Sequence, residues 1–120
     1  MSPGRRVRRR LHVHISAHDD ATCLAVTGDL DQRAAAALTT AVNKIMLTGR
    51  PGLTVDTTAV VYCDAAGLVA LLDACDRLLP ADGRLRLIGP GAAVDAFLEA
   101  TGLRPAFDIA PSTPGEPHLP

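Results

Sequence analysis

An α/β fold, a small mixed β-sheet flanked by helices, is predicted by three features of this 120-residue chain. Two strand-like segments lie side by side before residue 30, strand-like and helix-like segments then alternate to residue 109, and turn or capping residues sit between them. Such alternation implies helices packed on a sheet, with right-handed crossovers putting much of it in parallel pairing. The length suits one domain. At this size roughly two thirds of the unfolded surface is buried on folding, enough for a core without disulfides or a structural metal. With 48% hydrophobic but only 2% aromatic residues, that core is built from Ala, Leu and Val.

Leu11 to Ile15 alternates, Leu11, Val13 and Ile15 pointing one way and His12 and His14 the other, which is the pattern of a half-exposed strand. His18, Asp19 and Asp20 read as a turn, and a second strand, Thr22 to Thr27, ends at Gly28 to complete an antiparallel hairpin. Asp31 is placed to cap a helix from Gln32, whose Ala34, Ala37, Leu38, Ala41, Val42 and Ile45 share a face and which Gly49 and Pro51 stop. Leu53 to Asp56 reads as an interior strand, and Ala59 to Cys63 as a further strand or extended loop leading into a second helix. In that helix Leu68, Leu71, Leu72, Cys75, Leu78 and Leu79 recur at three- and four-residue spacing, with Pro80 at the exit. Arg84 to Ile88 alternates as a strand ended by Gly89-Pro90. A third helix, Ala92 to Thr101, turns Val94, Phe97 and Leu98 inward and stops at Gly102, suited to the left-handed C-terminal position. Phe107 to Ile109 forms a last short strand.

The formal charge of −1 conceals an asymmetry. Five of the twelve basic residues, Arg5, Arg6, Arg8, Arg9 and Arg10, lie in the first ten positions, so seven bases face thirteen acids over residues 11–120. Residues 1–10 read as a disordered Arg-rich arm, residues 11–110 as the folded domain, and residues 111–120, with four prolines, as a disordered tail. No run of about 18 apolar residues offers a membrane span or a secretory leader, so a soluble cytoplasmic protein is expected, with no membrane insertion. The scarcity of aromatic rings argues against single-strand nucleic-acid modules, which stack bases on them, and no specific nucleic-acid partner is expected. No GxGxxG follows a strand and no GxxxxGK occurs, which disfavours the common nucleotide-binding enzymes.

Cys23, Cys63 and Cys75 are an odd number without CxxC spacing, so reduced packing thiols are expected. Cys63 precedes a helix start, where a thiolate would be stabilised, but no resolving cysteine stands near it in sequence. His12, His14 and His18 lack a Cys or carboxylate at ligand spacing, so neither metal nor cofactor is expected.

Two stretches carry the most information. Gly28-Asp29-Leu30-Asp31 closes a strand and opens a helix, and Leu53-Thr54-Val55-Asp56 leads through Val60-Val61-Tyr62-Cys63 to Asp64-Ala65-Ala66-Gly67-Leu68 and on to Leu71-Leu72. In order and spacing they resemble the STAS domain, shared by bacterial anti-sigma factor antagonists and the cytoplasmic tails of sulfate transporters. Arg84 to Pro90 and Phe97, Thr101, Gly102 and Leu103 extend the resemblance over residues 11–110.

The resemblance implies protein–protein binding and no enzyme activity. Its expected partner is an anti-sigma factor, with a serine/threonine kinase among the candidates, and a homodimer is left open. The implied partner-binding residues are Asp29, Asp31, Asp64, Ala65, Ala66, Gly67, Leu68 and Val69. Asp31 and Asp64 double as helix caps, Asp29 as a turn residue, and Gly67 as a point of close packing. The family's phosphoacceptor position is Ala65, which like Ala66 has no hydroxyl and cannot be phosphorylated; Thr57, Thr58 and Tyr62 are the nearby hydroxyls. The expected function is therefore an anti-sigma factor antagonist without the usual switch. The alternative is a phosphorylation-independent scaffold or ligand-sensing subunit of a transport, lipid or signalling assembly.

Overall fold

The two alternating N-terminal segments become an antiparallel pair, β1 (His12–His18) and β2 (Ala21–Leu30), with Val13 opposite Val26 and Ile15 opposite Leu24. This computed structural model describes residues 9–18, 21–48, 53–79 and 85–110. The expected turn at Asp19 and Asp20, the stops at Gly49, Pro51 and Pro80, Arg84, the arm through Arg8 and the tail from Pro111 lie outside the described residues.

From β2 the chain enters a 3-10 turn, Gln32–Ala34, and helix α1 (Ala35–Thr48), which buries Leu38, Ala41, Val42 and Ile45. Strand β3 (Leu53–Cys63), helix α2 (Ala65–Cys75), strand β4 (Leu85–Ile88), helix α3 (Ala92–Thr101) and strand β5 (Phe107–Ala110) follow. The five strands lie in the order β1-β2-β3-β4-β5, every pairing after the first being parallel. This is the mixed sheet with three helices that the sequence predicts.

One sheet face makes the core. Leu24 and Val26, Leu53 and Val55, Leu85 and Leu87, and Phe107 are buried with Leu38, Val42, Ile45, Leu68, Leu71, Val94 and Leu98 from the helices. His12, His14, Thr27, Arg86 and Asp108 alternate with those residues and are exposed. Helix α1 packs on α2 and along β1, whereas α3 packs on β3. A Cβ at Gly91, just before α3, would collide with the Thr58 carbonyl oxygen, so glycine permits that approach.

Several boundaries differ from expectation. β1 runs on past Ile15, so that His18, expected in the turn, is instead its last residue and pairs with Ala21. β2 does not stop at Gly28 but runs on to Leu30, because Gly28 takes a φ of 99° and lets the Arg10 backbone pass close by. The two segments expected around Thr57 and Thr58 are one strand, β3, whose pairing with β2 shifts register between Ala25 and Thr27 and again between Gly28 and Asp29. Helix α2 ends at Cys75 in a 3-10 turn, Asp76–Leu78, leaving Leu78 and Leu79 only partly buried.

Candidate functional site

Parallel pairing carries the C-terminal ends of β2 and β3 to one edge, with Asp29 beside Tyr62 and Leu30 beside Cys63. The Gly28–Asp31 and Asp64–Val69 segments, over thirty residues apart in sequence, therefore meet. The Asp64 N–H donates to the Leu30 carbonyl at 3.2 Å. Gly67 lies so close to Leu30 that a Cβ would overlap the same carbonyl oxygen. The first turn of α2 thus rests on the backbone that opens α1.

Both helix starts are capped by aspartate. The Asp64 carboxylate accepts from the Gly67 N–H at 2.9 Å, and its carbonyl accepts from the Leu68 N–H at 3.0 Å. The Asp31 carboxylate accepts from the Arg33 N–H at 2.9 Å and from the Arg33 guanidinium at 3.0 Å. The hydrogen bond from Arg33 holds the Asp31 carboxyl below the usual carboxylate range, against the opposing effect of burial. Asp29 lies deeper, 1% exposed, and its carboxylate accepts from the Arg9 N–H at 2.9 Å while its own N–H donates to the Arg9 carbonyl at 3.0 Å. The Arg33 guanidinium stands 3.7 Å from the Asp29 carboxylate. Arg9, expected in the arm, is therefore fastened to the end of β2.

The eight residues singled out in the sequence divide by exposure. Asp29, Asp31, Gly67 and Leu68 are buried and Asp64 is half-buried: Asp64 and Gly67 join α2 to Leu30, Asp29 and Asp31 hold Arg9 and Arg33, and Leu68 belongs to the core. Ala65 and Ala66 are exposed, and Val69 is 53% exposed. The water-facing surface at this helix start is therefore small and apolar, with Arg33 half-exposed beside the Asp31 cap. Sequence reasoning missed Arg33, whose signal was its place two residues after a capping aspartate. It also missed Val61, 52% exposed, although three consecutive bulky residues, Val60-Val61-Tyr62, oblige one on a strand to face outward.

The aspartates of this arrangement are engaged as acceptors, Asp29 from the Arg9 N–H, Asp31 from the Arg33 N–H and guanidinium, and Asp64 from the Gly67 N–H. The Cys63 thiol is pushed up to about 11, chiefly by burial and then by the Asp64 charge, opposite to the effect expected of a helix start. Thr57 is fully buried, Tyr62 half-buried, and Thr58 exposed with its hydroxyl donating to the Gly89 carbonyl at 3.0 Å. Among the described residues no helix is long and apolar enough to cross a membrane.

Comparison with known proteins agrees with this geometry. The profile of the family described as "Mlab, STAS domain" matches residues 13–105. No curated protein sequence matches the chain. Among solved structures, an anti-sigma factor antagonist from Mycobacterium paratuberculosis superposes with a TM-score of 0.72 at 24% identity, over 88% of this chain and 89% of that one. The anti-sigma factor antagonist SpoIIAA in its unphosphorylated form superposes with a TM-score of 0.63 at 18% identity, over 82% of this chain and 88% of its own. At these identities the likeness is one of fold.

Proposed function

The chain belongs to the STAS domain family, and from that premise we propose that it works by docking, as an anti-sigma factor antagonist whose partner is an anti-sigma factor of the serine/threonine kinase type. The observation that carries this reading is the exposed, apolar first turn of α2, with Ala65, Ala66 and Val69 outward and Gly67 seated on Leu30. A surface of small residues on a rigid support suits close approach by a partner, with Val69 the side chain large enough to fill a pocket. Asp29, Asp31, Asp64, Gly67 and Leu68 serve the interface by fixing its shape.

Phosphorylation of the helix start would place about −2 of charge beside the free N–H groups of α2 and remodel a packed interface. Ala65 and Ala66 accept no phosphate, so under this reading the protein stays in the docking-competent form and is controlled by its abundance. Affinity capture from the native cell tests the reading. Wild type should recover a sigma-regulatory kinase, and Val69→Arg, which leaves the capping bonds intact, should lose it. Recovery of no such kinase by the wild type would sink the proposal.

The second reading is a phosphorylation-independent scaffold within a transport or lipid assembly. The absence of a hydroxyl at Ala65 and Ala66 favours it. Ala65→Ser separates the two readings. A captured kinase that phosphorylates the new serine with ATP marks a kinase-linked ancestry of this surface, and capture of a transport ATPase with no kinase marks the scaffold.

A further inference from the structure

The sheet has two edges, and they are built differently. β5 is four residues long, follows Pro105, precedes Pro111 in the sequence, and carries exposed Asp108 within 3.9 Å of the Arg86 guanidinium. Short length, proline and charge are the usual guards of a strand edge. β1 is seven residues long, His-Val-His-Ile-Ser-Ala-His, with no proline, lysine, arginine or acid and no bulge in its pairing with β2. Among the described residues no strand covers its outer side.

The phase of the β1 backbone follows from the hairpin. Two residues connect His18 to Ala21, so that closing pair exchanges both hydrogen bonds, and so do Ser16 with Cys23, His14 with Ala25 and His12 with Thr27. Val13, Ile15 and Ala17 therefore turn their N–H and C=O groups outward. The side chains of Val13 and Ile15 pack only partly against the core. A groove of about 460 Å³ remains between β1 and α1, lined by Val13, Ile15, Ala37, Thr40, Ala41 and Lys44.

We propose that β1 pairs antiparallel with β1 of a second copy of this chain about a two-fold axis at Ile15, joining two sheets into one. With that centre Ile15 meets Ile15, Val13 meets Ala17 and His14 meets Ser16. Each pair joins residues of the same face, so apolar side chains meet apolar ones above the two grooves and polar meet polar beneath. The pairs that exchange hydrogen bonds are those of Val13, Ile15 and Ala17, the residues whose backbone groups point outward. No like charges are forced together, and the same strand supplies both halves, as an isologous contact requires. Antiparallel joining also leaves both α2 starts open at opposite ends of the combined sheet, so the inference does not depend on what docks there.

Sedimentation over a concentration series, combined with amide exchange by NMR, tests the pairing. A monomer–dimer equilibrium is expected, with the amides of Val13, Ile15 and Ala17 gaining protection as dimer forms while those of His12, His14 and Ser16 are protected throughout. Ala17→Pro removes one outward N–H at an edge position that tolerates proline, and should weaken dimerisation by about tenfold or more with the far-UV spectrum unchanged. A chain that stays monomeric to millimolar concentration overturns the proposal. So does a dimer in which Val13, Ile15 and Ala17 exchange freely. Should Ala17→Pro fail to fold, the exchange pattern of the wild type still decides.

Discussion

A methyl group on Gly67 would claim the space of the Leu30 carbonyl oxygen. Backbone cannot yield as a flexible side chain can, so Gly67→Ala is expected to cost about 3 kcal/mol, read from the urea midpoint at unchanged m-value. Asp31 offers a test by pH. Its folded carboxyl lies below the ordinary value, so its contribution is full above about pH 4 and is lost as the pH falls through the lowered value. Asp31→Ala should cost about 1 kcal/mol at pH 7, and the difference from wild type should shrink as the pH falls through the lowered value. Thr57 carries a buried hydroxyl with no partner among the described residues. Thr57→Val keeps the shape and removes that polar atom, so a gain of about 1 kcal/mol in chemical denaturation is expected. Both capping aspartates were legible from their positions before helical segments. The burial of Asp29 was not, because it depends on Arg9 arriving from twenty residues away, a contact that no local pattern records.

Elements were legible wherever one periodicity held throughout. Helix α3 runs from Ala92 to Thr101 as its pattern and its terminal glycine predict, and Gly102 sits at a φ of 72° with open space around it. Gly102→Ala therefore meets no neighbour and pays only for the left-handed backbone, a loss of about 1 kcal/mol by thermal or urea unfolding. β3 was harder to read because its buried positions, Leu53, Val55 and Thr57, are followed by Val60, so the alternation changes phase partway along. The register shifts against β2 accommodate that change in space, whereas in sequence it looks like a break between two strands. Gly28 misleads in the same way. Glycine followed by aspartate signals a turn, and here it instead lets β2 continue under the Arg9 and Arg10 backbone.

At the scale of the whole molecule, the core accounts for the behaviour of the thiols. Cys75 is fully buried and its thiol is pushed up to about 12 by burial alone, while Cys63 stands at about 11. Cys75 should stay unlabelled by a thiol reagent at pH 7.5 until the chain unfolds, so its labelling rate against denaturant should follow the global transition measured by circular dichroism. Cys63 is half-buried with a raised pKa and should label slowly in the native state, and a rate that climbs with denaturant ahead of the global transition would show that the α2 end opens independently of the rest. The seat of Gly67 on Leu30 bears on that distinction and reaches beyond stability. Two segments already fixed to each other have little conformational freedom left to surrender, so under the proposed docking a partner at the start of α2 would meet a surface whose ordering cost was met during folding. The heat-capacity change of association should then match the area covered at the interface, with no added contribution from coupled folding.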